Sequence, residues 1–362
     1  MKIMKNMAER YKQSGISSYA PIAVIMMAAL SGTMGCAPAF RANLDTRYAG
    51  EFVWPPPPEK PRITYLWSLY SFAPQGENIA EYIEHEGSTE AFADLPYMLK
   101  PYGIHAMNNK LYIVDQGIPR VSVIDLKTQE LLHFGFEGIG QLRMPIAIAV
   151  DNRGRMFVTD SEAATVNIYE PSGTFSGYLG EKGFFKRPTG IVIEQATQRV
   201  YVLDSTEHRV QVFDASGAYR SGFGQRGSGN GEFNYPTHIA AGTNGRIYIS
   251  DAMNFRIQIF DKDGNFISTF GKQGDAYDEI DKPKGIAVDT FGHIYLVDTM
   301  QDMIKIFDDR GDLLLFFGGQ GVAPGTFSMP TGISIDERNT IYVADTYNHK
   351  IQAFKLIEEK VR

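Results

Sequence analysis

The sequence has 362 residues, 43% of them hydrophobic and 21% charged, with a formal net charge of −7. This composition excludes a wholly disordered chain, and the acidic balance argues against a nucleic-acid backbone as the main ligand. A lone cysteine, Cys36, excludes an internal disulfide, a cysteine-based metal cluster and a CxxCH haem attachment.

Residues 1–35 read as an address. Lys2, Lys5, Arg10 and Lys12 precede a stretch without charge from Gln13 to Gly35, whose apolar heart is Ala20–Leu30. Basic, then apolar, then small is the layout of a secretory signal peptide. The run Leu30-Ser-Gly-Thr-Met-Gly-Cys36 resembles a lipobox, with Thr33 in place of the usual leucine. Cys36 is therefore the expected lipidation site of an exported lipoprotein, and simple secretion with cleavage after Ala39 is the alternative. Ala37, rather than aspartate, follows the cysteine, so the expected address is the outer membrane, facing periplasm or exterior. A soluble secreted or periplasmic protein is the second reading.

Residues 36–60 are expected to be a tether, because Pro55–Pro58 is an unbroken proline run that favours extended polyproline II. An arm packed on the domain, with Trp54 held down, is the competing reading. Arg62–Tyr70 reads as an orphan strand. Glu77–Glu86 is expected to form a short helix.

From residue 101 onward the chain repeats. Six segments open on proline, at Pro101, Pro145, Pro188, Pro236, Pro283 and Pro330, spaced by 44, 43, 48, 47 and 47 residues. Each holds up to four apolar runs too short for helices, separated by Gly, Asp and Asn turns such as Asn244-Gly245 and Asp263-Gly264. Runs such as Arg256-Ile-Gln-Ile-Phe260 alternate, which predicts one buried face and one less buried. About 45 residues with four strands is a propeller blade, so 61–362 is expected to be an all-β, six-bladed β-propeller of four-stranded antiparallel blades. The last unit ends after three strands, so the orphan N-terminal strand is expected to complete it and close the ring.

The pattern Pro330-Thr-Gly-Ile-Ser-Ile-Asp336, Ile341-Tyr-Val-Ala-Asp345, Asn348-His-Lys-Ile-Gln-Ala-Phe354 resembles the NHL repeat. The resemblance covers residues 101–355. The lead-in Val53-Trp-Pro-Pro-Pro-Pro-Glu-Lys-Pro-Arg-Ile63 is similar to that of bacterial six-bladed lipoproteins of this type. The resemblance implies a fold rather than an activity, because one fold hosts many functions.

Six aspartates end the second strand of their blades: Asp115, Asp160, Asp204, Asp251, Asp298 and Asp345. A carboxylate there accepts backbone N–H bonds from the following turn, so these six are read as structural rather than as a cation ring. Basic residues open the third strand at Arg120, Arg209, Arg256 and Lys350 and are expected to pair with them. The loops before the first strand and after the second share one face at the channel mouth. The candidate binding set on that channel face is Tyr102, His105, Arg120, His208, Arg209, His238, Arg256, Lys284 and His349. The residues that follow the opening prolines of the other blades, Ile146, Thr189, Thr237 and Thr331, are expected near the same mouth. Four of the histidines could ligate a metal, but they belong to four different blades, so scattered loop residues are the preferred reading. No GxSxG, HExxH or P-loop occurs, and Gly222-Phe-Gly-Gln-Arg-Gly227 is read as a turn, since no helix follows it.

Two functions compete. The first is a monomeric envelope scaffold that binds a protein, peptide or glycan, held to the membrane by a lipid and needing no cofactor. The second is a hydrolase or lyase that uses a central calcium or zinc in the channel. Lactonase-type six-bladed enzymes, by their resemblance, would need a carboxylate and amide set there, and the first strands are mostly Ile, Ala, Val and Thr. Nucleic-acid binding, known for other NHL-repeat chains, is disfavoured by the address and by the acidic body.

Overall fold

The computed structural model describes residues 40–74 and 97–357. Cys36, the signal segment and the expected helix at Glu77–Glu86 lie outside the described residues. Almost everything described is strand, turn or bend.

Each repeat folds into one sheet. In blade one the strands are Pro101–Met107, Lys110–Asp115, Arg120–Asp125 and Leu131–Phe134, hydrogen-bonded in chain order and antiparallel. Blades two to five repeat this arrangement. The first strands contact one another in sequence around the ring, and that of blade six (Ile333–Ile335) contacts that of blade one. The ring is therefore closed, and blades one and four stand opposite each other.

Closure uses the N-terminal strands β1 (Phe40–Asp45), β2 (Val53–Trp54) and β3 (Ile63–Pro74). Strand β3 pairs antiparallel with Lys350–Leu356, with Ile351 opposite Leu69 and Leu356 opposite Ile63. The orphan strand thus supplies the missing fourth strand of blade six, as its sequence position predicts.

The tether expectation is corrected over residues 40–54. Strand β1 pairs with the outer edge of β3 as a fifth strand, and the Ala42 N–H reaches across to the Gln129 carbonyl of blade one at 3.0 Å. Strand β2 pairs with the start of β3, which leaves Pro55–Pro58 in the exposed connection between them. The reason is the edge itself. An outermost strand of twelve residues exposes a row of N–H and C=O groups, and β1 covers them. Trp54 packs against Phe317 and Phe354, with ring centroids at 5.6 and 5.7 Å.

The apolar core is divided into six parts, one in each gap between neighbouring blades. Between blades four and five it contains Tyr248, Ile257, Ile259, Ile294, Leu296 and Phe307. Between blades six and one it contains Leu69, Phe72, Ile104, Ile113, Ala344 and Ile351. Each blade is thus sandwiched, and that corrects the reading of the alternating strands. Met156–Asp160 and Ile247–Asp251 are buried on both faces, and only outer strands such as Phe266–Phe270 alternate between half-buried and exposed. Polar residues inside the third strands of blades four, five and six do not face water. Gln258 and Gln352 are fully buried.

Candidate functional site

Pro101 pairs with Asp115, Pro188 with Asp204 and Pro283 with Asp298. The loop before the first strand and the loop after the second therefore meet at the same end of each blade. Each of the six aspartates holds its carboxylate at this junction. Asp115 accepts the N–H groups of Leu99 and Lys100 ahead of the blade (2.8 and 2.9 Å) and that of Gly117 after it (2.8 Å). Asp160 and Asp204 repeat the pattern with Arg143 and Met144, and with Lys186 and Arg187. Asp251 receives the Asn234 N–H, Asp298 receives those of Asp281 and Lys282, and Asp345 receives that of Ser328. Each carboxylate therefore ties the incoming loop to its own blade, a contact the turn argument had not included. All six are buried and engaged with backbone.

The third-strand polar residue extends this network. Gln258 donates to the Glu232 carbonyl at 2.7 Å and to Asp251 at 3.1 Å. Gln352 does the same to Thr326 and Asp345 at 2.6 and 2.9 Å. In blade five Lys305 takes this place, bonded to the Glu279 carbonyl and paired with Asp298 at 2.9 Å, with both side chains fully buried.

Three members of the candidate binding set are corrected on this basis. Arg256 pairs with Asp251 at 2.9 Å and donates to the Gly229 and Glu232 carbonyls. Arg209 donates to the Gly222 carbonyl, and fully buried Arg120 donates to that of Tyr97 while lying over the Phe72 ring. The third strand is two layers out from the axis, so these cations hold loops within the blades and do not line the channel. The histidines divide as well. Buried His208 accepts the Tyr235 N–H through Nδ1 at 3.1 Å, and His349 bonds the Leu99 carbonyl. Both sit in the loops after a second strand, bound to backbone. Among the described residues no group of three or more His, Cys, Asp or Glu side chains is arranged to hold a metal ion.

The channel is narrow, and most of the side chains that line it are apolar. A cavity of about 150 Å³ runs between the six first strands, lined by residues such as Ile104, Ile148, Ile191, Ala240 and Ile286 together with His105 and His238. Position two after the opening proline is Gly in blades one, three, five and six and Ala in blade two. The blades close on each other there. A Cβ on Gly332 would lie 2.3 Å from the Tyr102 carbonyl oxygen. Only blade four carries a larger group at this position, His238.

His238 meets a side chain from the opposite blade. Tyr102 of blade one reaches over the channel and stacks on the His238 ring, with centroids 6.2 Å apart and planes at 24°. Lys284 of blade five places Nζ 5.2 Å above the Tyr102 ring. Tyr102, His238 and Lys284 thus form one contact group at the channel mouth. Burial drives the His238 pKa down to about 3, and the Lys284 charge adds to this. Both ring nitrogens of His238 are buried and make no hydrogen bond among the described residues. Burial lowers His105, deeper in the channel, to about 4. Burial also lowers Lys284 to about 8, helped by the charges of Lys282 and Lys100, and it raises Tyr102, which Arg187 partly offsets.

Around this group the loops present residues the sequence reading did not single out. Met144, Tyr235, Met253, Met300 and Tyr347 are exposed in the mouth-side loops. Lys100 lies over the Tyr347 ring at 6.0 Å, and Lys282 Nζ is 3.9 Å from Met253 Sδ. The available signal was positional: these residues immediately precede an opening proline or follow a second-strand aspartate by two.

A closed ring of six sheets around a capped apolar channel is a six-bladed β-propeller. Residues 190–244 and 241–305 match the family model described as 6-bladed beta-propeller, and residues 327–354 match the NHL repeat. The chain is accordingly a six-bladed β-propeller whose last blade carries an NHL repeat. Solved structures of similar fold include an auxiliary nutrient binding protein from Bacteroides thetaiotaomicron, at 16% identity and TM-score 0.58, covering 73% of this chain and 71% of that one. A gluconolactonase from Xanthomonas campestris matches at 14% identity and TM-score 0.57, covering 89% and 99%. Virginiamycin B lyase from Staphylococcus aureus matches at 16% identity and TM-score 0.53, covering 72% and 96%. At these identities the likeness concerns the fold.

Proposed function

We propose that this chain is an exported envelope lipoprotein whose propeller is a binding scaffold for a protein, peptide or glycan, with the loop face around the channel mouth as its binding face. The observation that carries this reading is the capped mouth. Tyr102 and His238 stack across the channel beneath a ring of exposed Met and Tyr side chains. Exposed apolar side chains gathered on one face are a common mark of an interaction surface. Similar folds include both a nutrient-binding protein and enzymes, so the site rather than the fold guides the choice. Among the described residues the channel lining contains two histidines and no carboxylate, which favours binding over hydrolysis or lysis. The export and lipid-anchor parts of the reading rest on residues 1–36 of the sequence.

The test is capture from an envelope extract by the propeller and by a triple variant, Tyr102→Ala, His238→Gly and Lys284→Thr. Loss of defined partners in the variant is the expected result. Equal capture of the same partners by both proteins would overturn the choice of face. Labelling of the full chain with a radioactive fatty acid, lost in Cys36→Ala, tests the anchor separately.

A further inference from the structure

We propose that the channel mouth binds the carboxylate of an acidic peptide, with Lys284 as its ion-pair partner. This rests on the reading of the mouth as the binding face and assigns the chemistry of what binds there.

The argument begins with charge. Lys284, Lys282, Lys100 and Arg187 all lie at the mouth, in or just before the first strands of blades one, three and five. Among the described residues none of the four forms an ion pair, although elsewhere in the protein Arg47, Arg155, Arg220, Arg256, Lys305 and Arg310 all do. The neighbours of the mouth cations are instead rings and sulfur: Tyr102 under Lys284, Tyr347 under Lys100 and Met253 beside Lys282. Among the described residues the carboxylates of the same loops, Glu162, Glu207, Asp281 and Asp302, form no ion pair with them. Six buried aspartates share this end of the blades, yet Asp115, Asp204 and Asp298 take the backbone N–H groups of Lys100, Arg187 and Lys282 and leave these side-chain cations without a carboxylate partner among the described residues. A cation that is partly desolvated and left without a counter-ion gains most from an incoming anion.

Geometry positions the cation. His238 and Lys284 both contact the Tyr102 ring, so Lys284 Nζ is held in place over an aromatic platform. The His238 imidazole is neutral and both its nitrogens are closed to solvent, which leaves Lys284 as the charged group of this cluster. The exposed Met and Tyr residues favour a peptide over a sugar, since flexible Met side chains and Tyr rings suit varied apolar side chains.

The experiment measures fluorescence anisotropy of a fluorescein-labelled pentaglutamate peptide on the propeller. A pentaglutamine peptide with an amidated terminus is the control, and oligogalacturonate is the competitor. Lys284→Thr is the main variant, because threonine stands at the same position in blades three, four and six. The expected result is salt-sensitive binding of pentaglutamate, none of pentaglutamine, and at least about a tenfold loss in Lys284→Thr with recovery in Lys284→Arg. Equal affinity of Lys284→Thr and the parent, or no pentaglutamate binding at millimolar concentration, overturns the proposal. Binding of oligogalacturonate alone overturns the peptide assignment. A rim variant, Met253→Ser with Tyr347→Ser, separates the two levels. If it loses envelope partners while Lys284→Thr keeps them, the face stands and the carboxylate falls. If neither variant loses partners, the face itself is wrong.

Discussion

Tyr102 and His238 come from diametrically opposed blades, yet their rings stack with centroids 6.2 Å apart. The contact spans the whole channel and holds an imidazole away from water. A buried neutral histidine has a pH consequence with a definite sign. His238 titrates near 3 and His105 near 4, both below the ordinary value of 6.5, with burial as the first cause. Above pH 6.5 neither state holds the proton, so nothing is lost. As pH falls below 6.5 the unfolded chain takes up protons that the folded chain refuses, and stability declines until the folded values are reached. Each such group adds a slope of at most about 1.4 kcal/mol per pH unit. Urea denaturation between pH 7 and 4.5 should show the decline, and His238→Gly should make it shallower. An identical slope in that variant would contradict the burial argument.

Lys284 gives the opposite pH dependence for binding. Burial and the neighbouring Lys282 and Lys100 lower its ammonium from 10.5 to about 8, while Tyr102 and His238 beside it carry no charge at neutral pH. Anion capture needs the charged form. Affinity for pentaglutamate should therefore fall as pH rises through about 8, whereas binding through ordinary surface lysines would persist to near 10. An anisotropy titration from pH 6.5 to 9.5 distinguishes the two.

Lys305 stands where blades four and six carry Gln258 and Gln352, with the same two kinds of partner. Lys305→Gln should therefore cost little. Lys305→Met removes the charge and the donor together and strands Asp298 in the core, a loss of about 3 kcal/mol or more. Chemical denaturation of the two variants provides the comparison, and similar losses in both would refute the equivalence of the three blades.

Both tryptophans of the chain, Trp54 and Trp67, lie in the closing blade. Tryptophan emission therefore reports on ring closure, while far-ultraviolet circular dichroism reports on all six sheets. The two signals should change together on denaturation, because blade six shares one core with blade five and another with blade one. Trp54→Ala empties the space between Phe317, Phe354 and Gly325 and should cost about 3 kcal/mol. An emission change well ahead of the dichroism change would show that closure is a separate step.

The ring was legible because its signals are local and repeated six times. Proline opens each blade, aspartate ends each second strand, and a strand orphaned at residue 62 matched a strand missing after residue 356. The pairing partners of individual side chains were less legible. Arg120, Arg209 and Arg256 are polar residues at the start of a strand, and sequence alone does not say whether such a residue meets solvent, a channel or the loop of the same blade. Gln258 shows why alternation misled. With neighbours on both sides of a blade, a polar position in the pattern is a buried hydrogen-bonding post and not a wet face. The approach of Tyr102 to His238 was hidden for another reason: it joins residues 102 and 238 through the width of the channel, which no repeat period encodes. The arm at 40–54 was misread because a proline run describes its own conformation and not the sheet edge on either side of it.

The pairing of β3 with Lys350–Leu356 also governs when the molecule can form. No stretch of chain shorter than the interval from Ile63 to Leu356 can close the ring. Five blades can assemble from contacts within one repeat and between neighbours, but the sixth waits for two segments from far apart in sequence to meet, an entropically slow event. A chain emerging in order can therefore hold folded blades, but no closed ring, until almost all of it has been delivered. The latch that stabilises the finished ring is thus also the last pairing that a chain emerging in order can make.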